Sequence, residues 1–210
     1  MKTRPKGRAD GDRTRARALQ AALPLFATHG FAGTSIRMVA KAANVNVATL
    51  AYHFGDKQGL YEAVNVRLHE DLAELAASID LPMGVDPVLH LVQRAWEFVQ
   101  DHRLHIRLLQ RNLLDHGAHV PAITEEWSEP LLQQADALVM ALGGGQELQA
   151  RLVILSLMHL MARFALEDPE QLRQMLRGAD DVDAQLTRFL AGMARKQLDL
   201  PSWSGEDTRI

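Results

Sequence analysis

The sequence predicts an all-α fold, and three observations carry that prediction. Aromatic residues make up only 5% of the 210-residue chain, while alanine and leucine abound, a composition that favours helix over strand. Apolar residues recur at three- and four-residue spacing in nearly every segment, the period of a helix with one buried face. No run alternates apolar and polar residues as a half-buried strand would.

The elements follow in order. Residues 1–11 are basic, polar and contain glycine and proline, and read as a disordered basic arm. A first helix is expected from about Asp12 to His29, with Leu19, Ala22, Leu23 and Phe26 on one face and Gly30 as its stop. Pro24 lies inside it. A proline there costs about 3 kcal/mol and predicts a bend, since Leu25 and Phe26 continue the apolar face. A second helix starts at Thr34–Ser35, either of which can cap it, and buries Ile36, Val39 and Ala40. Ala43-Asn44-Val45-Asn46 makes the turn, with Asn44 at a left-handed position that asparagine tolerates. Asn46 caps a third helix, Val47–Phe54, whose Leu50 and Phe54 face inward. Asp56 caps a fourth, about Lys57–Ile79.

The remainder reads as further helices. Asp86–Asp101 carries Val88, Leu89, Val92, Trp96 and Val99 on one face. His102–His116 carries Ile106, Leu109, Leu113 and Leu114. Thr124–Leu142 carries Leu131, Leu132, Ala135, Leu138 and Val139 and ends at Gly143-Gly144-Gly145. Gln146–Leu166 is apolar almost all round between Leu152 and Ala162, which marks a helix buried on more than one side. Val182–Leu198 repeats Leu186, Phe189, Leu190 and Met193 at helical spacing. Residues 199–210 read as a polar tail. The expected domains are therefore 12–57 and 58–198.

Charge divides the same way. Residues 1–60 hold 10 Lys/Arg against 3 Asp/Glu, whereas residues 61–210 hold 13 against 23, so the overall −3 conceals a basic head on an acidic body. Such a head suits a polyanionic partner, although a solvated basic tail gives the same count. With no cysteine, disulfides, thiolate catalysis and Cys-based zinc sites are excluded, and a reducing cytoplasm is the expected location. The run Leu152–Ala162 is interrupted by Ser156 and His159 and is too short for a bilayer, so no membrane partner is expected. The early Arg-Ala stretch contains Gln20 and lacks a cleavage site, which argues against a signal peptide. No phosphate-binding loop, His-Glu-x-x-His or nucleophile-elbow serine is present, so no enzyme activity and no cofactor are predicted. His102/His105 and His116/His119 have ligand-like spacing without a third ligand, so no metal is expected.

Two short helices, a tight turn and a third helix close behind form a helix-turn-helix, a shape that presents one helix to a DNA groove. Val47 and Ala48 at the start of that helix can contact thymine methyls, and Thr49 can bond a base or a phosphate. Arg37 is the one long donor nearby and suits a bidentate contact to guanine. Thr34 with its neighbour Ser35, Tyr52, His53 and Lys57 surround the reading face and suit phosphate oxygens. The amides opening the fourth helix add an expected anion site near Lys57. Arg103, Arg107 and Arg111 form a basic stripe, ordinarily a solvated face.

Gly30-Phe31, Thr34-Ser35-Ile36-Arg37, Ala40, Ala43-Asn44-Val45, Thr49-Leu50, Tyr52-His53-Phe54 and Asp56-Lys57 resemble the DNA-binding signature of the TetR (tetracycline-repressor-like) transcriptional regulators over residues 12–65. The resemblance implies contact roles for Thr34, Arg37, Thr49, Tyr52, His53 and Lys57. It further implies a homodimer on double-stranded DNA, with a C-terminal helical domain that dimerises and binds a small-molecule effector. Control by a protein partner, or a helical enzyme with the head as a packing element, are the alternatives, and activation stands beside repression. Three departures occur: Asn44 replaces the usual turn glycine, Ala51 replaces an aromatic, and Val47-Ala48 replaces a polar or basic pair. Candidate pocket residues are Trp96, His105, Leu109, Trp127, Leu131, Met158 and Phe164, though apolar residues at this spacing are mostly ordinary core. For the dimer interface, the stripes of the last two long helices point to Leu152, Leu155, His159, Leu186, Phe189, Leu190 and Met193.

Overall fold

The structure, a computed structural model, describes residues 6–78, 80–114, 132–133, 135–143, 147–177 and 180–203. Its helices are α1 (Lys6–Gly33), α2 (Ile36–Ala43), α3 (Val47–Phe54), α4 (Lys57–Ser78), α5 (Pro87–Asp101), α6 (Arg103–Leu114), α7 (Glu147–Ala165), α8 (Pro169–Met175) and α9 (Val182–Gln197). Residues 135–141 are helical as well, and no strand occurs among the described residues. The expected residues Trp127, Leu131, His116 and His119, with Gly144 and Gly145, lie outside the described residues.

Two elements differ from expectation. α1 begins at Lys6 rather than near Asp12, so residues 6–11, expected within a disordered arm, are helical. Arg13 donates to the Asp10 carboxylate at 2.9 Å, and the Thr14 hydroxyl donates to the Asp10 carbonyl at 2.9 Å. The Arg13–Asp10 pair at three-residue spacing supports helix against the opposing propensity of Gly7 and Gly11. The second difference is α8, which the sequence reading omitted. Its start carries standard signals: the Asp168 carboxylate accepts from the Glu170 and Gln171 amides at 3.0 Å, and Pro169 occupies the first turn.

The chain divides into two compact units. The first contains the described residues of 6–71 and 104–114. Its core joins Ala18, Ala22 and Phe26 of α1, Val39, Ala40 and Ala43 of α2, Leu50 of α3, Leu60, Tyr61 and Val64 of α4, and Leu108 of α6. Phe26 and Phe31 both meet the edge or face of Tyr61, with centroids 4.9 and 5.1 Å away. Fully burying a large apolar side chain such as Phe26 or Leu50 contributes roughly 1.5–3 kcal/mol. The expected boundary after residue 57 falls inside this unit, because the first turns of α4 complete the head's core.

α1 runs through Pro24 and leaves helical geometry at Gly30, where φ is 70° and ψ is 177°. That combination is essentially restricted to glycine. A Cβ added there would stand 2.7 Å from Arg111 Nε. Arg111 in turn donates to the Thr28 carbonyl at 3.0 Å, satisfying a helix-end acceptor with a cation.

The second unit contains the described residues of 72–103 and 132–203. Val88, Val92 and Trp96 of α5 share a core with Val153, Met161 and Ala165 of α7 and Leu186, Leu190, Ala191 and Ala194 of α9. Asp86 ties two ends together. Its carboxylate accepts from the Val88 and Leu89 amides at 3.0 and 3.2 Å, capping α5, and from Arg195 near the end of α9.

α7 corrects one expectation. Its stretch Leu148–Ala165 has a mean hydropathy of 1.3 over 18 residues and is, by length and composition, long and apolar enough to cross a membrane. The sequence reading counted only the innermost run. In this fold α7 puts Val153, Met161 and Ala165 into the core while Leu148, Leu152 and Leu155 stay exposed.

Two substitutions test these anchors by urea unfolding. Asp86→Ala loses both cap and ion pair and is expected to cost about 2–3 kcal/mol, and Asp86→Asn, which keeps an acceptor for the amides, about half as much. Gly30→Ala is expected to cost at least about 2 kcal/mol from backbone strain alone. Wild-type midpoints for these variants would show that neither anchor matters.

Candidate nucleic-acid interface

The site is built on α2, the turn and α3. Ser35 caps α2, its hydroxyl accepting from the Met38 amide at 3.2 Å. At the other end Asn44 is left-handed, with φ 53° and ψ 51°. Its N–H donates to the Lys41 carbonyl at 3.2 Å and the Val45 N–H to the Ala40 carbonyl at 3.0 Å, closing the helix end. Asn46 then caps α3: its side-chain oxygen accepts from the Thr49 amide at 2.6 Å and from the Thr49 hydroxyl at 2.8 Å. Leu50 anchors the inner face of α3 with no exposure. The sequence therefore fixes both ends of each short helix, although an eight-residue helix is marginal alone.

The outer face of α3 is left open. Val47, Ala48 and Ala51 are exposed, Thr49 is half-buried, and Tyr52 is 85% exposed with its ring edge-on to His53 at 5.2 Å. Arg37 is exposed on α2. Val47, Ala51, Ser35, Ile36 and Lys57 border a shallow depression open to solvent. Small apolar side chains flanked by one long donor and an exposed phenol leave a surface with no steric barrier to base edges or methyl groups.

Two expected contacts have other tasks. Thr34 is only 1% exposed, and its hydroxyl donates to the Gly30 carbonyl at 2.8 Å, with the Leu25 carbonyl at 3.1 Å. The Thr34 hydroxyl thus serves carbonyls near the end of α1 from inside the fold. The phosphate role expected for Thr34 is thereby corrected. Lys57 is half-buried, donates to the Phe31 carbonyl at 2.9 Å and to the Thr34 carbonyl at 3.1 Å, and lies 4.2 Å from the Phe31 ring centroid. Two of its three N–H groups are thus engaged within the fold. The anion site expected at the start of α4 is also occupied from within, because the Asp56 carboxylate accepts from the Gly59 amide at 2.9 Å.

The residues expected to dimerise separate into two sets. Leu152, Leu155, His159 and Phe189 are exposed, Phe189 by 63%. Leu186 and Leu190 are buried in the second core, which corrects their assignment to an interface, while Met193 packs against that core and is only partly buried. In α9 the positions 186 and 190 lie one turn apart on the inward face, while 189 falls outside it. Leu148 is exposed on α7 beside the expected set, and Met158, expected in a pocket, is exposed too.

The expected pocket is not assembled as drawn. Trp96 is a core residue of the second unit, whereas His105 and Leu109 are half-buried in the first. Phe164 does line a cavity of about 300 Å³ in the second unit, with Gln100, Arg103, Leu172, Asp181 and Asp183. Arg103 donates to the Glu167 carbonyl at 3.1 Å beside it. Sequence reading missed this cavity because it forms around α8. Among the described residues, no group of three or more His, Asp or Glu side chains is placed to hold a metal ion.

Comparison with known proteins bears on the same segment. The sequence model described as bacterial regulatory proteins, tetR family, matches residues 18–64. Over 104 residues the chain is 33% identical to the protein named Probable HTH-type transcriptional regulator YttP of Bacillus subtilis, covering 48% of this chain and 50% of that one. It is 31% identical over 123 residues to the HTH-type transcriptional repressor NicS of Pseudomonas putida, covering 57% and 58%. These matches span little more than half the length of either relative. A longer match, 28% identical over 199 residues, covers 90% of this chain and 97% of the HTH-type transcriptional repressor SCO4008 of Streptomyces coelicolor. In fold the chain is similar to a bacterial regulatory protein in the tetR family from Rhodococcus RHA1, with a TM-score of 0.71, 16% identity and coverage of 90% and 98%. The capped helix-turn-helix thus lies in the segment that matches the tetR family of bacterial regulatory proteins, and the chain is similar in sequence and in fold to transcriptional regulators of that kind.

Proposed function

We propose that the protein is a cytoplasmic, homodimeric transcriptional repressor that binds a pseudo-palindromic operator and is released by a small-molecule effector. The open outer face of α3, with Val47, Ala48, Ala51 and Tyr52 exposed on a helix capped at its start by Asn46, is the observation that carries it. Each subunit lays α3 in a major groove. Val47 and Ala48 meet thymine methyls, Thr49 a base or phosphate, and Arg37 a guanine. Ser35, Tyr52 and His53 hold the backbone, with the remaining N–H of Lys57. Two heads then read half-sites about one helical turn or more apart.

The exposed apolar stripes support the dimer. Leu148, Leu152 and Leu155 on α7 and Phe189 on α9 are large side chains left in water by the single chain, and a symmetry-related copy is the simplest way to bury them. The cavity beside Phe164 and Arg103 supports an effector with both apolar and charged groups, since its lining offers both. Release follows if the effector favours a conformation whose heads are wrongly spaced, and a differential affinity of ~1–3 kcal/mol suffices. The names of the relatives NicS and SCO4008 as repressors favour repression over activation.

Two measurements test this reading. In fluorescence anisotropy with DNA from upstream of its own gene, the wild type is expected to bind sequence-specifically. Tyr52→Ala should weaken binding to all duplexes, whereas Arg37→Ala should cost about 1–3 kcal/mol and relax base preference at one position. Absence of any specific complex at moderate salt would sink the repressor reading. In light scattering, Leu152→Glu combined with Phe189→Glu should convert the dimer to a folded monomer with unchanged helical circular dichroism and weakened operator binding. A variant that stays dimeric would move the interface elsewhere.

A further inference from the structure

The bonds at the start of α3 fix which way two polar side chains face. The Thr49 backbone N–H, 2.6 Å from the Asn46 side chain, can only donate, so the amide atom it meets is the oxygen Oδ1. The Thr49 hydroxyl lies 2.8 Å from that same oxygen. An amide oxygen cannot donate, so the Thr49 proton is committed to Asn46 and the hydroxyl shows its surroundings only lone pairs. The Asn46 amide nitrogen is left with two N–H donors and no partner among the described residues. Asn46 is exposed and Thr49 half-buried. Both stand at the N-terminal end of the reading helix, the end whose residues reach base edges.

The pair therefore offers one donor next to one acceptor. A phosphate oxygen accepts and never donates, so Thr49 has nothing to give it while the bond to Asn46 stands. Guanine presents two acceptors, N7 and O6, to the major groove, and one of them would face the Thr49 lone pairs. Cytosine presents the N4 amino donor alone. Adenine is the one base with an acceptor, N7, beside a donor, the N6 amino group, and these match Asn46 Nδ2 and Thr49 Oγ1 in turn. The thymine paired with it adds a methyl group. Val47 and Ala48, exposed between Asn46 and Thr49 in the chain, are apolar and suit that methyl. α3 holds no lysine or arginine that would favour guanine instead.

We infer that Asn46 and Thr49 together read one adenine in each half-site, the Asn46 amide N–H donating to N7 and the Thr49 hydroxyl oxygen accepting from the N6 amino group. This rests on the operator-binding reading and narrows it. Thr49 becomes a base contact and not a phosphate contact, and Asn46 joins the site as both cap and reader. A pair that only caps the helix predicts no dependence on either atom of any adenine.

The test uses the full chain and an operator selected from a random duplex library. Each adenine is replaced in turn by purine, which lacks the N6 amino group, or by 7-deazaadenine, which lacks N7. At one adenine per half-site, each replacement is expected to weaken wild-type binding about five- to tenfold. Thr49→Val, which keeps the shape and removes the hydroxyl, should abolish the purine penalty there and keep the 7-deazaadenine penalty. Asn46→Asp, which keeps an acceptor for the cap and for the Thr49 hydroxyl but has no N–H, should do the reverse. Each penalty is a ratio within one variant, so a change in folded fraction or overall charge cancels. Should no adenine show both penalties, or should either variant keep the penalty it is expected to lose, the inference is wrong and the operator reading stands on the selected duplex. A penalty found instead at a cytosine stripped of its N4 amino group would overturn the adenine assignment. Failure of the wild type to select any duplex would remove the operator reading itself, and this inference with it.

Discussion

The segment between α1 and α2 is held by donors reaching carbonyls that no helix satisfies, and the DNA-reading surface depends on it. After the turn at Gly30, the Phe31 carbonyl accepts only a long 3.4 Å backbone bond from the Thr34 amide, and the carbonyls of Gly30 and Thr34 take side-chain donors. The Thr34 hydroxyl takes one, and the Lys57 ammonium takes the other two while lying over the Phe31 ring. Hydrogen bonds from a charged donor are worth about 1.5–3 kcal/mol each when partly buried. They fix where α2 begins and where α4 begins, and Phe31 is thereby set against Tyr61. α3 has only Leu50 fully buried, so its stiffness is borrowed from this surrounding frame and from its caps. A reading helix that rocked would pay the ordering cost at each binding event.

Much of the head was legible in the sequence because its instructions are local. Ser35, Asn44 and Asn46 act within four residues of themselves, and each has a side chain whose preferred task is known. Thr34 was legible as important yet misassigned in direction, and Lys57 has a second task inside the fold that the sequence did not announce. A donor that suits a phosphate oxygen suits an orphan carbonyl equally, and only the three-dimensional path of the chain decides which it meets. Residues 6–11 were misread for a different reason. Two glycines lower helix propensity, and the offsetting Arg13–Asp10 contact is small. α8 was missed although Asp168-Pro169 announces it, because seven residues carry too little periodicity to stand out.

The second unit was harder to read because one sequence pattern serves two burial outcomes. α7 is apolar around most of its circumference, which fits a helix in a membrane, a helix inside a core and a helix shared between two chains. The structure separates its sides: Val153, Met161 and Ala165 meet α5 and α9, while Leu148, Leu152 and Leu155 do not. Leu186 and Leu190 look identical to Phe189 in a hydropathy pattern, yet the two leucines complete the core with Trp96 and the phenylalanine is left outside. Stripe width, unlike stripe existence, cannot be read from spacing alone.

The division of labour on the head follows from what each side chain can discriminate. Val47 and Ala48 offer methyl contacts, and Arg37 is the one exposed long donor of α2 and α3 whose chemistry distinguishes guanine. Lys41 is the other cation of these helices and stands in the last turn of α2, away from its start. A surface with so few directional donors carries modest base discrimination, so the larger part of complex stability must come from charge against the backbone. That balance suits a regulator. On the dimeric, effector-released reading proposed above, the remainder is a sum of weak, salt-screened terms that two heads must meet at once, and a small change in head spacing would remove several terms together. A coupling of ~1–3 kcal/mol is then enough to separate bound from free.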